Sequence, residues 1–158
     1  MRDLMRKKLL FSILVLGPVI PALAADKDAR GTPTEAKAML TKAIAYYKAN
    51  GRTKALAEFN RGRRSFSDRD LYVFCIGPDR KLVADGAYRE YINQSADILK
   101  DADGKPIGGA VWETAMKKGE GELHYMWLNP ISKLIEPKVS YFAKVGQDVC
   151  GVGSYDPK

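Results

Sequence analysis

The chain is poor in the residues that most often carry chemistry. It holds a single histidine, His124, two cysteines and two tryptophans in 158 residues. One histidine excludes a histidine-paired metal site and a histidine dyad, and no acid, base and nucleophile stand together in the sequence to suggest an enzyme. On a strand, alternation places His124 opposite Tyr125, a structural or solvent-facing position. Asp101-Ala102-Asp103-Gly104 resembles the start of a calcium loop. Counted from Asp101, however, position twelve is Trp112, where an EF-hand needs a bidentate glutamate, so a tight Asp/Gly turn explains the stretch and no metal is expected. There is no internal repeat and no low-complexity segment. After residue 24 no apolar run is long enough to cross a membrane.

The first 24 residues stand apart. Arg2, Arg6, Lys7 and Lys8 precede an apolar run from Leu9 to Ile20, and Pro21 with Ala22-Leu23-Ala24 follows as a small-residue cleavage site. We read residues 1–24 as a secretory signal peptide; the alternative, an uncleaved anchor, has a short run broken by Gly17 and Pro18. No cysteine follows the cleavage site to accept a lipid, so the mature product is expected to be exported, periplasmic or equivalent, and free of a membrane span. Cleavage removes four of 26 Lys+Arg and one of 19 Asp+Glu, leaving 22 against 18, so the formal charge falls from +7 to +4. The basic balance is therefore largely targeting sequence, and nucleic acid is not an expected partner. Arg61, Arg63 and Arg64 read as a solvated helix end, with an anion or partner contact as the alternative.

The remaining chain, of about 133 residues, suits one domain. Residues 25–31 are small and charged and read as a flexible leader; residues 32–158 read as the domain. Thr32-Pro33-Thr34-Glu35 predicts a capping box opening a helix from Pro33 to about Ala49, with an apolar stripe of Ala36, Met39, Leu40, Ala43, Ile44 and Tyr47 and a stop at Asn50-Gly51. A shorter helix capped by Thr53 buries Ala55, Leu56 and Phe59. Leu71 to Ile76 predicts a strand buried on both faces, with Lys81 to Ala84 as its hairpin partner. Asp85 to Lys100 has weak periodicity and reads as loop with room for one helical turn. A helix over Ile107 to Lys118 is expected to turn Val111, Trp112 and Met116 inward. Strands then follow from Leu123, over Lys138 to Val145, and over Val149 to Tyr155. This order predicts an α+β fold with a mainly antiparallel five-stranded sheet.

From about Ala36 to Tyr155 the chain resembles the single Cache domain family, type 2, found in extracytoplasmic bacterial sensors and in stand-alone exported proteins. The resemblance rests on NGRTKALAEFN, FSDRDLYVF, KDADGKP, HYMWLNP, EPKVSYFAKV and VCGVGSY, taken in that order. It implies a PAS-like sheet, the long N-terminal helix packed on one face, and a pocket for a small organic ligand, often a short carboxylate, under loops on the other. It also implies that the first and last strands are neighbours in the middle of the sheet. Cys75 and Cys150 would then lie on adjacent strands and can form a disulfide, against the alternative of two buried thiols. Two positions depart from the family pattern. Glu122 follows Gly121 where a tryptophan is common, and the second strand ends Ala84-Asp85 where Ala-His is common. An acid lining the pocket disfavours a carboxylate by charge repulsion.

The candidate ligand-binding residues are Tyr125, Trp127, Lys138, Tyr141 and Arg69. Tyr125 and Trp127 share a strand face and offer an aromatic wall with polar tips, or else pack as core. Lys138 would pair with an anionic ligand and Tyr141 would donate a hydroxyl, yet alternation puts these two on opposite faces unless a bulge intervenes. Arg69, between Asp68 and Asp70, contacts ligand or pairs locally. The sequence nominates no cofactor. The leading function is that of a sensor-type small-molecule-binding domain whose output passes through a membrane-bound signalling or transport partner. The alternative is a ligand-free interaction module docking on a membrane-bound kinase, chemoreceptor or transporter.

Overall fold

The structure, a computed structural model, describes residues 30–62 and 65–155. The export signal over residues 1–24, its cleavage site, most of the leader, and Arg63 and Arg64 lie outside the described residues. The last two leader residues are tied down. Arg30 forms a bidentate pair with Glu136, and the Gly31 N–H donates to Asp70 Oδ1 at 2.7 Å.

Helix α1 spans Pro33–Asn50 and begins with the expected capping box. The Glu35 N–H donates to Thr32 Oγ1 at 3.2 Å, and the Thr32 N–H donates back to the Glu35 carboxylate at 2.8 Å. Gly51 ends the helix at φ 78°, a left-handed value that glycine adopts without a Cβ penalty, and it also stands at the N-cap of α2, Arg52–Phe59. The cap of α2 is therefore this glycine and not Thr53, because the chain turns too tightly for a separate capping residue. Of the predicted side chains, Ala36, Leu40, Ala43 and Tyr47 of α1 and Ala55, Leu56 and Phe59 of α2 are buried, and Met39 and Ile44 are half-buried against the same core.

The sheet has six strands rather than five: β1 (Ser67–Asp68), β2 (Leu71–Ile76), β3 (Leu82–Asp85), β4 (Glu120–Leu128), β5 (Ile135–Val145) and β6 (Asp148–Tyr155). All pairings are antiparallel. The extra strand, β1, is two residues long, too short to leave a periodic pattern. One edge of β2 pairs with β1 and β3, the other with β6, and β5 and β4 follow outward. The first and last long strands are thus central neighbours. Cys75 faces Cys150 in register, and the two are joined by a disulfide of S–S 2.06 Å.

The two sheet faces bury different layers. On one, α1 and α2 place Ala36, Leu40, Ala43, Tyr47, Leu56 and Phe59 against Val73, Cys75, Cys150 and Val152. On the other, α3 (Gly108–Lys118) packs Val111 and Ala115 on Ile76, Phe142 and Val149. Its buried seam of Gly108, Val111 and Ala115 is one residue wide per turn, so Met116, a step of 100° further round, is 45% exposed rather than inward. The segment after β3, expected as loop, contains 3-10 turns at Arg89–Tyr91 and Ala96–Ile98 and covers the same face as α3.

Candidate functional site

Alternation along β2 sends Val73 and Cys75 to the α1 side and Tyr72, Phe74 and Ile76 to the α3 side. On β6 that second face carries Gly151 and Gly153. Their lack of side chains makes room: a Cβ at Gly151 would lie 2.5 Å from Phe74 Cζ, and one at Gly153 would lie 2.1 Å from Lys138 Cε. Large side chains from the flanking strands therefore fold over the sheet centre, and α3 and the post-β3 segment roof them.

Between these layers is a cavity of about 40 Å³, counted as space open to the centres of water-sized groups. Aromatic rings supply its walls: Tyr72 and Phe74 from β2, Tyr91 from the first 3-10 turn, and Tyr125 and Trp127 from β4. Neighbouring rings lie in contact, with centroids 5.9 Å apart for Tyr91 and Trp127 and 6.0 Å for Tyr125 and Trp127. The charged side chain in the lining is Asp85, at the end of β3. Its Oδ1 accepts the N–H groups of Ala87 at 2.8 Å and Tyr88 at 2.7 Å. Burial raises its carboxyl to about 6, against the opposing pull of those N–H groups and of the Lys138 charge.

Lys138 lies in the same layer without lining the cavity. In register, Tyr125, Lys138 and Tyr155 form one row across β4, β5 and β6. The lysine is 2% exposed; its Nζ donates to the Tyr72 hydroxyl at 2.7 Å and stands 4.1 Å from the Tyr72 ring centroid and 4.7 Å from that of Tyr155. It forms no ion pair within 4 Å of a described carboxylate. Burial lowers its pKa to about 7, while the charges of Asp85 and Asp70 act the other way. Burial likewise pushes the Tyr125 phenol up, although its hydroxyl is bonded to Ser140 Oγ at 2.8 Å.

Of the five candidates, the structure brings Tyr125 and Trp127 to the cavity wall and sets Lys138 beside it. Tyr141 is on the opposite face, among the residues packed against α1, with Lys37 Nζ 4.5 Å from its ring centroid. The alternation of β5 runs from Lys138 to Tyr141 without a bulge, which is why the two separate. Arg69 is also remote. At φ 55° it pairs with Glu35 and Asp68 and donates to the Arg30 carbonyl, fastening the start of α1. Glu122 points away from the cavity too, with His124 Nε2 3.5 Å from its carboxylate and the histidine side chain 68% exposed. Asp101 organises a turn, accepting the N–H groups of Asp103 and Lys105. The cavity lining also includes residues that were not candidates from sequence, among them Tyr72, Phe74, Tyr91, Leu99 and Val111. For the first two the signal was present, as alternate positions of the β2 run.

An antiparallel sheet with its first long strand and its last strand as central neighbours, a long N-terminal helix on one face and a small aromatic cavity on the other is a PAS-like fold. A family model, the single Cache domain 2, matches residues 26–155, and the chain belongs to that family. No curated protein matches it. Among solved structures it is similar to a methyl-accepting chemotaxis protein from Vibrio parahaemolyticus, at 18% identity and TM-score 0.65 over 77% of this chain and 86% of that one. A periplasmic sensor domain of a chemotaxis protein is 20% identical, with TM-score 0.61 over 77% and 88% of the two chains. A Cache chemosensory domain studied for carboxylic acid recognition is 19% identical, with TM-score 0.59 over 78% and 88%.

Proposed function

We propose that this is an exported sensor domain that binds a small organic molecule in the cavity between β2, β3, β4 and α3, and that its output passes through a membrane-bound signalling or transport partner. The observation that carries the reading is the cavity itself: five aromatic residues and one carboxylate converge there on the sheet face opposite α1. Its size suits a small organic ligand. The proposal assigns no catalysis to the site. A short carboxylate, the class named for one structural neighbour, would draw on the charge of Lys138 beside the cavity, whose ammonium spends one donor on Tyr72.

The test is titration calorimetry of the exported protein against a panel of small carboxylates, amines and neutral molecules. Val111→Phe drives a ring into the cavity and is expected to abolish binding, while Leu134→Ser, at an exposed position remote from it, leaves binding intact. Equal loss in both variants would remove the cavity as the site. The second reading, a ligand-free interaction module, is favoured by the exposed Leu128, Ile131, Leu134 and Ile135 at the β4–β5 hairpin tip. It predicts that no member of the panel binds and that Leu134→Ser weakens partner capture.

A further inference from the structure

We propose that the ligand is a small organic cation, a primary or methylated amine, with Asp85 as its counter-ion; this rests on the cavity being the binding site. The inference begins from how the buried carboxylates are satisfied. Glu136 meets Arg30 through both oxygens, and Asn129 and Ser132 add one bond to each. Asp148 meets Arg52 through both, with the Tyr47 hydroxyl on Oδ2. Asp70 takes the Gly31 N–H on Oδ1 and Asn129 on Oδ2, and Asp101 has backbone donors on both oxygens.

Asp85 differs. Only 5% exposed, it receives both of its bonds on Oδ1, Oδ2 accepts none from any described residue, and no described Lys, Arg or His stands within 4 Å. A buried carboxylate with a free oxygen and no cation in contact is costly, the more distant Lys138 charge offsetting only part of the cost of burial, and that cost falls when a donor cation arrives. This one lines the cavity, so the arriving group is the ligand.

The walls suit the same charge. Tyr72, Phe74, Tyr91, Tyr125 and Trp127 present ring faces and edges to a space of a few atoms, and a cation against such faces is attracted by their quadrupoles. The layer already uses that interaction internally, holding the Lys138 ammonium over Tyr72 and Tyr155. The cavity is small, so methylammonium, ethylammonium and trimethylammonium are the first probes of it. A carboxylate in the same place would face Asp85.

The experiment compares chloride salts of those three amines with sodium acetate and sodium propionate, at matched ionic strength, on the exported protein by thermal shift and calorimetry. The amines are expected to raise the midpoint. Asp85→Asn keeps an acceptor for the Ala87 and Tyr88 N–H groups and removes the charge, and it is expected to weaken amine binding at least tenfold with an unchanged circular dichroism spectrum. Carboxylate binding without amine binding overturns the charge assignment and leaves the cavity reading standing, provided Val111→Phe abolishes it. Amine binding that Asp85→Asn does not weaken also overturns it. Silence from every compound overturns both.

Discussion

Removal of the Cys75–Cys150 bond tests the central pairing of the sheet. The bond closes a loop with a sequence separation of 75 residues. On the chain-entropy relation, a loop of that length raises the free energy of the unfolded ensemble by about 4.5 kcal/mol at 25 °C. Both cysteines are buried between the α1 layer and the sheet, so the double variant Cys75→Ala/Cys150→Ala also loses a little packing, on the order of 1 kcal/mol. The native register survives the change, because Val73 with Val152 and Ile76 with Val149 remain paired on either side. Urea unfolding is the assay. With a slope of about 1.5–2 kcal/mol/M, the combined loss of about 5.5 kcal/mol moves the midpoint down by roughly 3–4 M. Thiol titration of the denatured, unreduced wild type is expected to find no free thiol. A midpoint shift below about 0.5 M, or two thiols in the titration, would refute the reasoning.

Two further outcomes are expected. Arg30→Ala leaves the buried Glu136 without its cation and costs about 1.5–3 kcal/mol, the range for a charged hydrogen bond. Arg30 holds the Glu136 carboxyl below the usual range, so this contribution is present at neutral pH and disappears as pH falls below that range; equal stability of the two proteins at pH 7 would contradict it. Mass spectrometry of protein from the exported fraction is expected to give a start at Ala25 or Asp26, and an intact Met1 would reject signal cleavage.

Local rules made much of the fold readable. Thr32, Pro33 and Glu35 fix the start of α1 by chemistry within four residues, and the β2 run declares itself by composition. What stayed hidden depends on tertiary context. Leu71 to Ile76 is apolar on both faces, so nothing in the run says that Tyr72 and Phe74 line a cavity while Val73 and Cys75 meet a helix. Tyr91 sits on a 3-10 turn of three residues, below the length at which periodicity is visible. Arg69 adopts a positive φ to reach Glu35 across the start of α1, a contact between residues 34 apart that no local pattern encodes. The separation of Lys138 from Tyr141, by contrast, followed from alternation alone.

Lys138 is the side chain at which stability and ligand charge meet. Met has a comparable length without the ammonium, so Lys138→Met keeps the packing against Gly153 and deletes a buried cation whose hydrogen bond among the described residues is to Tyr72. The groups around that cation are Asp85 and Asp70, which favour its charge, and the Tyr72 and Tyr155 rings. Its folded-state pKa, about 7 against an ordinary 10.5, means that folding penalises the charged form. The penalty is absent above about pH 10.5, grows as pH falls, and is complete below about pH 7. Lys138→Met is therefore expected to be neutral or stabilising at pH 6, by up to a few kcal/mol, less the loss of the Tyr72 bond, and to gain nothing at pH 10.5. The ligand readout runs in opposite directions for the two charges. An amine on Asp85 no longer competes with a neighbouring cation and binds more tightly, whereas a carboxylate loses its counter-ion and weakens by about 1.5–3 kcal/mol. Weaker amine binding in a folded Lys138→Met protein would reject Asp85 as the counter-ion, and a larger stability gain at pH 10.5 than at pH 6 would reject the buried-cation argument on which the sign depends.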